Sequence, residues 1–420
     1  MTNSIARLPE LDVAVVESYR VSGTMIERSV RLRSGAVVCT QEQARPSAPQ
    51  DAPANRFVDA WLRRETAPTV VAEPLTIADL FSGCGGLSLG AQEAARAVGR
   101  RAVHVLAVDN NQSALGVYSA NFPEAQTNDG DINGLVDGAL GARPTRLEKR
   151  LQDQLAGLDL AIGGPPCQGH SDLNNHTRRE DPKNQLYLRM VRFVEVVRPK
   201  RVLIENVPGV AYDRSGVTAV AEQVLRGLGY TVDTGVVRAS DVGAAQARRR
   251  HLLLATRGEQ GVSIGDIAMG FGAPPRPVLD AIDDLDVEPN RGVFGSPATH
   301  SRTNQNRIQY LFDHGLYELP DEQRPECHRL KKHSYRAVYG RMYPDRPAPT
   351  ITAGFGSTGQ GRFVHPLRPR TLTPHEAARL QGFPDWFSFE TVEGRRALQE
   401  MIGNAVPTRL AYAAIVSLLR

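Results

Sequence analysis

Apolar residues along this chain change their spacing several times, and each change marks an element. Between residues 13 and 40 they are mostly Val set among Arg. Val30–Arg31–Leu32–Arg33 alternates apolar with basic, Ser34–Gly35 supplies a turn, and Ala36–Val37–Val38 resumes the apolar run. Such runs on either side of a turn predict a β-hairpin. Residues 43–55 shift to Pro, Ala, Gln and Ser, a linker composition. Residues 1–74 therefore read as an extension and linker expected to pack on the main body, with no function legible in them.

From Leu75 short apolar runs alternate with helical stretches. Strands are predicted at 75–80, 103–108, 158–162, 201–204 and 251–255, and helices at 91–98 and 187–197. That alternation predicts an α/β doubly wound, Rossmann-like sheet. It stops near residue 257, where Gly, Pro, Asp and Arg dominate up to about 342, and returns before a last helix at 408–419. The expected domains are 75–256, a smaller irregular domain at 257–343, and a segment at 344–420 that completes the first.

Composition narrows the function only a little. No run approaches the roughly 18 uninterrupted apolar residues of a membrane span, and MTNSIARLPELDV has no apolar core behind a basic start. A cytoplasmic protein is expected. Fifty basic against 46 acidic residues leave +4, too small a charge to mark a nucleic-acid binder. Of the fifty, 45 are Arg, whose planar fork suits phosphates and guanine edges, although a GC-rich genome produces the same bias. The four cysteines form no CxxC pair, which fits a reducing compartment and no disulfide framework. Cys327, His328 and His333 match no standard zinc spacing, so no metal is expected.

The candidate chemistry sits at predicted strand ends. Asp79–Leu80–Phe81–Ser82–Gly83–Cys84–Gly85–Gly86 is a strand running through a Gly-rich turn into a helix, which lets a ligand approach backbone amides. Its third fingerprint position falls at Ser88, so it is not a dinucleotide motif. Asp109 ends the next strand, where a carboxylate commonly grips ribose hydroxyls. Gly164–Pro165–Pro166–Cys167–Gln168–Gly169–His170–Ser171 follows another strand, and its prolines hold the thiol in a fixed place. Glu205–Asn206–Val207 ends the strand after that. In Gln246–Ala247–Arg248–Arg249–Arg250, alternation puts Arg248 and Arg250 on one face.

This ordered set, with Gly403–Asn404–Ala405–Val406–Pro407 near the end, resembles the DNA (cytosine-5) methyltransferase family from about residue 76 to 420. The resemblance implies S-adenosylmethionine as cofactor, double-stranded DNA as substrate, and a methyl group delivered to carbon 5 of a cytosine flipped out of its duplex. It implies Cys167 as nucleophile at carbon 6, Glu205 at ring nitrogen 3, and Arg248 and Arg250 at the base carbonyl and nearby groups, without saying which does which. Phe81, Gly83, Gly85, Asp109, Asp131, Ile132, Pro166, Leu186 and Asn404 match cofactor contacts. Gln168, Ser171, Arg302, Arg307 and Arg336 are candidate DNA contacts, and 257–343 takes the place of the target-recognition domain. His170 stands where the family more often has Phe, which bears on how the loop packs. A restriction endonuclease acting separately and a monomeric state are expected. The rivals are a tRNA-directed branch of the same fold, whose Cys-Phe-Thr signature is absent between Arg250 and Arg346, and a silent DNA-binding relative, which has no need of the intact Cys167, Glu205 and Arg pair.

Overall fold

A computed structural model describes residues 16–44, 52–166, 185–213, 216–259, 261–271, 273–286, 292–329 and 337–419. Strands β1 (Val16–Ser22), β2 (Met25–Arg31) and β3 (Val37–Gln43) form an antiparallel sheet, and α1 (Pro53–Leu62) follows it. The predicted hairpin is β2–β3, with β1 added on its other side. Side chains on β2 alternate strictly, so Ile26, Arg28 and Val30 point inward. Val30 shares a core with Leu75, Ala94 and Tyr412 of the main body, and this contact docks the arm.

The main sheet contains β4 (Pro74–Leu80), β5 (Arg101–Val108), β6 (Gln126–Asn128), β7 (Leu160–Gly163), β8 (Arg201–Asn206), β9 (Tyr230–Arg238) and β10 (Arg249–Arg257). Their spatial order is β6-β5-β4-β7-β8-β10-β9. β4 pairs in parallel with β5 and β7, as do β5 with β6 and β7 with β8, while β10 runs antiparallel between β8 and β9. The central strands are buried on both faces, and β10 is buried without a break from His251 to Thr256, as expected for a sheet with helices on both sides.

Between β4 and β5 lies α2 (Gly86–Ala97), and between β5 and β6 lies α3 (Gln112–Asn121). α4 (Arg146–Gln154), α5 (Gln185–Val197) and α6 (Val217–Gly227) follow, then α7 (Ile264–Phe271), α8 (Val278–Ile282), α9 (Arg302–Asp313) and α10 (Glu326–Arg329). The chain ends in α11 (Pro374–Gln381), α12 (Arg395–Asn404) and α13 (Thr408–Leu418). One face of the sheet packs on α2 and α13, the other on α5 and α6. Ile267 and Phe271 of α7 join the first of these cores, so the segment after β10 begins against the sheet. A third core gathers Phe355, Phe363, Phe383 and Ile402 from the C-terminal segment around Tyr118 and Phe122. A small separate cluster of Ile308, Leu311, Leu319 and Val364 holds α9.

The strand order reverses between β4 and β7. A chain that moves outward through β5 and β6 and then crosses back leaves a crevice at the carboxyl ends of those two strands. No helix among the described residues is long and apolar enough to cross a membrane.

Candidate active site

β4 delivers Phe81 at φ 61°, a left-handed backbone that non-glycine residues rarely adopt. Strain of this kind persists where the surroundings enforce it, commonly at a working site. Gly85 caps α2 at φ 97°, and a Cβ there would meet the Phe122 ring at 2.7 Å. Only glycine fits. Around Gly83, in contrast, a Cβ would meet nothing within 4 Å, so the turn faces open space.

Asp109 closes this turn from the next strand. Its Oδ2 accepts from the Gly83 N–H at 2.8 Å and its Oδ1 from the Asn111 N–H at 2.8 Å. The carboxylate stays half-exposed, so its remaining lone pairs are open to hydroxyl donors. Beyond β6, Asp131 is exposed and accepts from the Asn133 N–H at 2.8 Å, and Ile132 is buried beside it. Pro166 and Leu186 are half-buried, and Asn404 ends α12 with its side chain exposed. Phe81 and Leu186 pack against the same core.

Asp79, one turn of strand before Phe81, has no exposure at all. Ser88 donates to its Oδ2 at 2.7 Å and also shares a 2.7 Å bond with the Tyr118 hydroxyl, while Oδ1 is without a partner. Burial pushes this carboxyl up to about 8, with Asp109 adding repulsion and the Ser88 bond working the other way. Composition offered no sign of this, because Asp79 reads as an ordinary strand residue until its neighbours are known.

The second half of the site lies at the ends of β7 and β8. Glu205 is 8% exposed and its Oε1 pairs with Arg250 Nε at 2.5 Å. A Cβ on Gly164 would lie 3.2 Å from Glu205 Oε2, so the carboxylate rests against the backbone that leads to Pro165 and Pro166. Asn206 Nδ2 donates to the Pro165 carbonyl at 3.2 Å, and Asn206 Oδ1 accepts from the Val207 N–H at 2.8 Å. Cys167, Gln168, Ser171 and Arg336 lie outside the described residues.

The two arginines left undivided by the sequence take different places. Arg250 is the one on Glu205. Arg248 is 3% exposed and donates to the carbonyls of Ile351 at 2.7 Å, Gly403 at 2.9 Å and Asn404 at 3.4 Å. Gln246 reinforces the same seam, donating to the Leu380 carbonyl at 2.9 Å and accepting from the Ile351 N–H at 3.3 Å. Arg248 thus ties the start of β10 to the C-terminal segment that carries Asn404. Arg302 is exposed at the start of α9, whereas Arg307 donates to the Gln323 carbonyl at 2.9 Å and to Asn304 Oδ1 at 2.8 Å. The Arg307 bonds run within that region rather than to the strand ends.

This arrangement has known counterparts. A family model of C-5 cytosine-specific DNA methylase matches residues 75–420. The Type II methyltransferase M1.BsuMI of Bacillus subtilis (strain 168) is 46% identical over 415 residues, covering 96% of this chain and 95% of that protein. The Type II methyltransferase M1.HphI of Haemophilus parahaemolyticus is 31% identical, with 82% and 87% covered. Among solved structures, one described as a DNA modification methyltransferase encoded within a prophage (E. coli) superposes with a TM-score of 0.59 at 28% identity, covering 82% of this chain and 98% of that one. The S. pombe Dnmt2 methyltransferase gives 0.58 at 20% identity over 83% and 98%, a likeness of fold. With the main sheet from Leu75 onward and both halves of the site inside the matched residues, this chain belongs to the C-5 cytosine-specific DNA methylases.

Proposed function

We propose that this DNA cytosine-5 methyltransferase acts on duplex DNA at a short specific sequence, through a transient bond between Cys167 and carbon 6 of a flipped-out cytosine. The Glu205–Arg250 pair carries the reading. It sits at the end of β8, next to β7 and one strand from where the order reverses, against the Gly164–Pro165 backbone that runs directly into Cys167.

Aromatic carbon 5 is a weak nucleophile, and covalent attachment splits one hard step into two easier ones. The Cys167 thiolate adds to carbon 6, and the ring electrons move toward nitrogen 3 and the carbonyl oxygen. Glu205 holds or protonates nitrogen 3, and the Arg250 guanidinium, anchored on Glu205, faces the carbonyl oxygen. Carbon 5 is now nucleophilic and takes the methyl group. A base then removes the carbon 5 proton, the carbon 5–carbon 6 double bond re-forms as the thiolate leaves, and any proton lent to nitrogen 3 returns to Glu205, so the cysteine is regenerated and the ring keeps the methyl group. Arg248 acts at a distance from the base, as the brace of the C-terminal segment.

S-adenosylmethionine, when bound, supplies an electrophilic methyl on a sulfonium. The residues present fit such a ligand: open space at Gly83, the strained Phe81 for stacking on adenine, and Asp109 for ribose hydroxyls. Asp131 and Ile132 would flank the adenine edge, with Gly85, Pro166, Leu186 and Asn404 closing the rest. Residues 75–256 with 344–420 form the catalytic unit in this reading, 257–343 reads the target, and 1–74 is an extension. Gln168 and Ser171 with Arg302, Arg307 and Arg336 meet the DNA. The protein works as a monomer in the bacterial cytoplasm, beside a restriction endonuclease that acts separately.

Labelled methyl transfer to duplex DNA, single-stranded DNA and tRNA in parallel tests the substrate. Duplex DNA is expected to be labelled and Cys167→Ser to be inactive; label on tRNA alone overturns the reading. Duplexes carrying 5-fluorocytosine at the target, which lack the proton needed for release, are expected to trap an SDS-stable adduct. An adduct that persists in Cys167→Ala would show that another group attacks.

A further inference from the structure

The N-terminal arm meets the body of the protein around a cavity of about 40 Å³. One water needs roughly 10–15 Å³ on this measure, so the space suits a group of a few heavy atoms. Its charged lining is lopsided, with Arg28, Arg276, Arg379 and Arg409 against Glu93 alone. The acids that pair with these arginines are shared or peripheral. Glu93 serves both Arg28 at 2.8 Å and Arg96 at 2.7 Å. Asp59 serves Arg276 at 3.0 Å and also Arg63. Arg379 reaches Asp385 and, at 3.4 Å, Asp284, whose side chains are 25% and 20% exposed. Glu17, bonded to Arg409 at 2.6 Å, also faces Arg28.

Three lining residues also keep a buried nitrogen without a partner: Arg28 Nη2, Arg276 Nε and Trp61 Nε1. Arg28 and Arg276 are each 1% exposed and Trp61 is 7% exposed. All three atoms are donors that cannot accept. Buried donors of this kind are almost always satisfied in folded proteins. Burial, with repulsion from Arg63 and Arg379, outweighs the attraction of Asp280 and Asp283 and pushes the Arg276 guanidinium down to about 9.

We propose that this cavity binds a small inorganic oxyanion, of the size and charge of phosphate, which fastens the N-terminal arm to the body. An acceptor-only group with several lone pairs answers three donors that water, itself partly a donor, answers less well. Because the lining comes from α1 and β2 of the arm and from α2, α11 and α13 of the body, the anion would bind only the docked state and stabilise it by linkage.

The chain has two tryptophans, so full-length Trp386→Phe leaves Trp61 as the sole indole reporter. Inorganic phosphate, titrated at constant ionic strength, is expected to give a saturable change in Trp61 fluorescence and a saturable rise in the unfolding midpoint. Chloride at matched ionic strength is expected to give neither. Adding Arg276→Met is expected to weaken the phosphate response by about tenfold or more, while Arg150→Met, on an exposed arginine of α4, leaves it unchanged. A non-saturable response, an equal response to chloride, or a response that survives Arg276→Met would each overturn the proposal. If the Arg276 variant fails to fold, the phosphate-against-chloride comparison in Trp386→Phe still decides.

Discussion

At the scale of single residues, two arginines one position apart from a third have different work. Arg250 reaches the Glu205 carboxylate, and Arg248 reaches backbone carbonyls of three residues about a hundred or more positions away. The same replacement at each should therefore give opposite readouts. Arg250→Lys keeps a cation beside Glu205 but loses the planar fork. A single-turnover rate lower by roughly 10- to 100-fold is expected, with stability within about 1 kcal/mol of the parent. Arg248→Lys leaves buried carbonyls that one ammonium cannot all reach, so a loss of about 2–4 kcal/mol in denaturant unfolding is expected. Equal rate losses without a stability difference would show that both act on the base. The motif Gln246-x-Arg248-x-Arg250 made both arginines visible in the sequence. Their division was not, because the carbonyls that claim Arg248 belong to a segment far along the chain.

Elements were legible where burial is continuous and obscured where packing demanded glycine. The strands now seen as β4, β5, β7, β8 and β10 stood out as apolar runs, since both faces of each are covered. β9 did not, because it lies at the sheet edge and carries Asp233 and Gly235 within an only partly buried pattern. The expected helix at 91–98 begins five residues earlier, at Gly86. Gly86 and Gly90 hid its first turns, and both are there for close approach: a Cβ on Gly86 would meet the Val406 carbonyl at 2.8 Å, and one on Gly90 would strike Ala411 of α13. α12 shows the same logic one residue before Asn404, where a Cβ on Gly403 would strike the Ala353 backbone. Gly403→Ala is expected to cost about 1–3 kcal/mol and, by displacing Asn404, to weaken S-adenosylmethionine binding about tenfold or more, read by calorimetry. Gly227→Ala, at a helical position with open space around it, should instead gain up to about 1 kcal/mol and leave binding alone. Matching losses in the two variants would point to a general intolerance of substitution.

Across the whole molecule, two buried carboxylates tie stability to pH in opposite directions. Glu17 belongs to the arm, and its side chain is 2% exposed. Burial alone would raise its pKa, but Arg409, bonded to it at 2.6 Å, and Arg28 nearby outweigh burial and hold it below the usual range. A depressed folded-state value means that its stabilisation is present above the unfolded pKa of about 4.5 and is lost as pH falls from there. Asp79, under the Gly-rich turn, is raised from 3.8 to about 8. Its contribution is full below about 4 and disappears as pH climbs toward 8, because the unfolded chain ionises over that interval and the folded one resists. Glu17→Gln should therefore be less stable than the parent at pH 6 and above, with the gap closing below about 4.5. Asp79→Asn should match the parent near pH 4 and exceed it progressively up to pH 8, by on the order of a few kcal/mol. Urea unfolding from about pH 3 to 9 reads both differences, and hydrogen exchange in β1–β3 locates the first, since acid should release the arm before the sheet. A Glu17→Gln gap that widens in acid, or an Asp79→Asn curve parallel to the parent throughout, would mean that these carboxylates do not set the pH response.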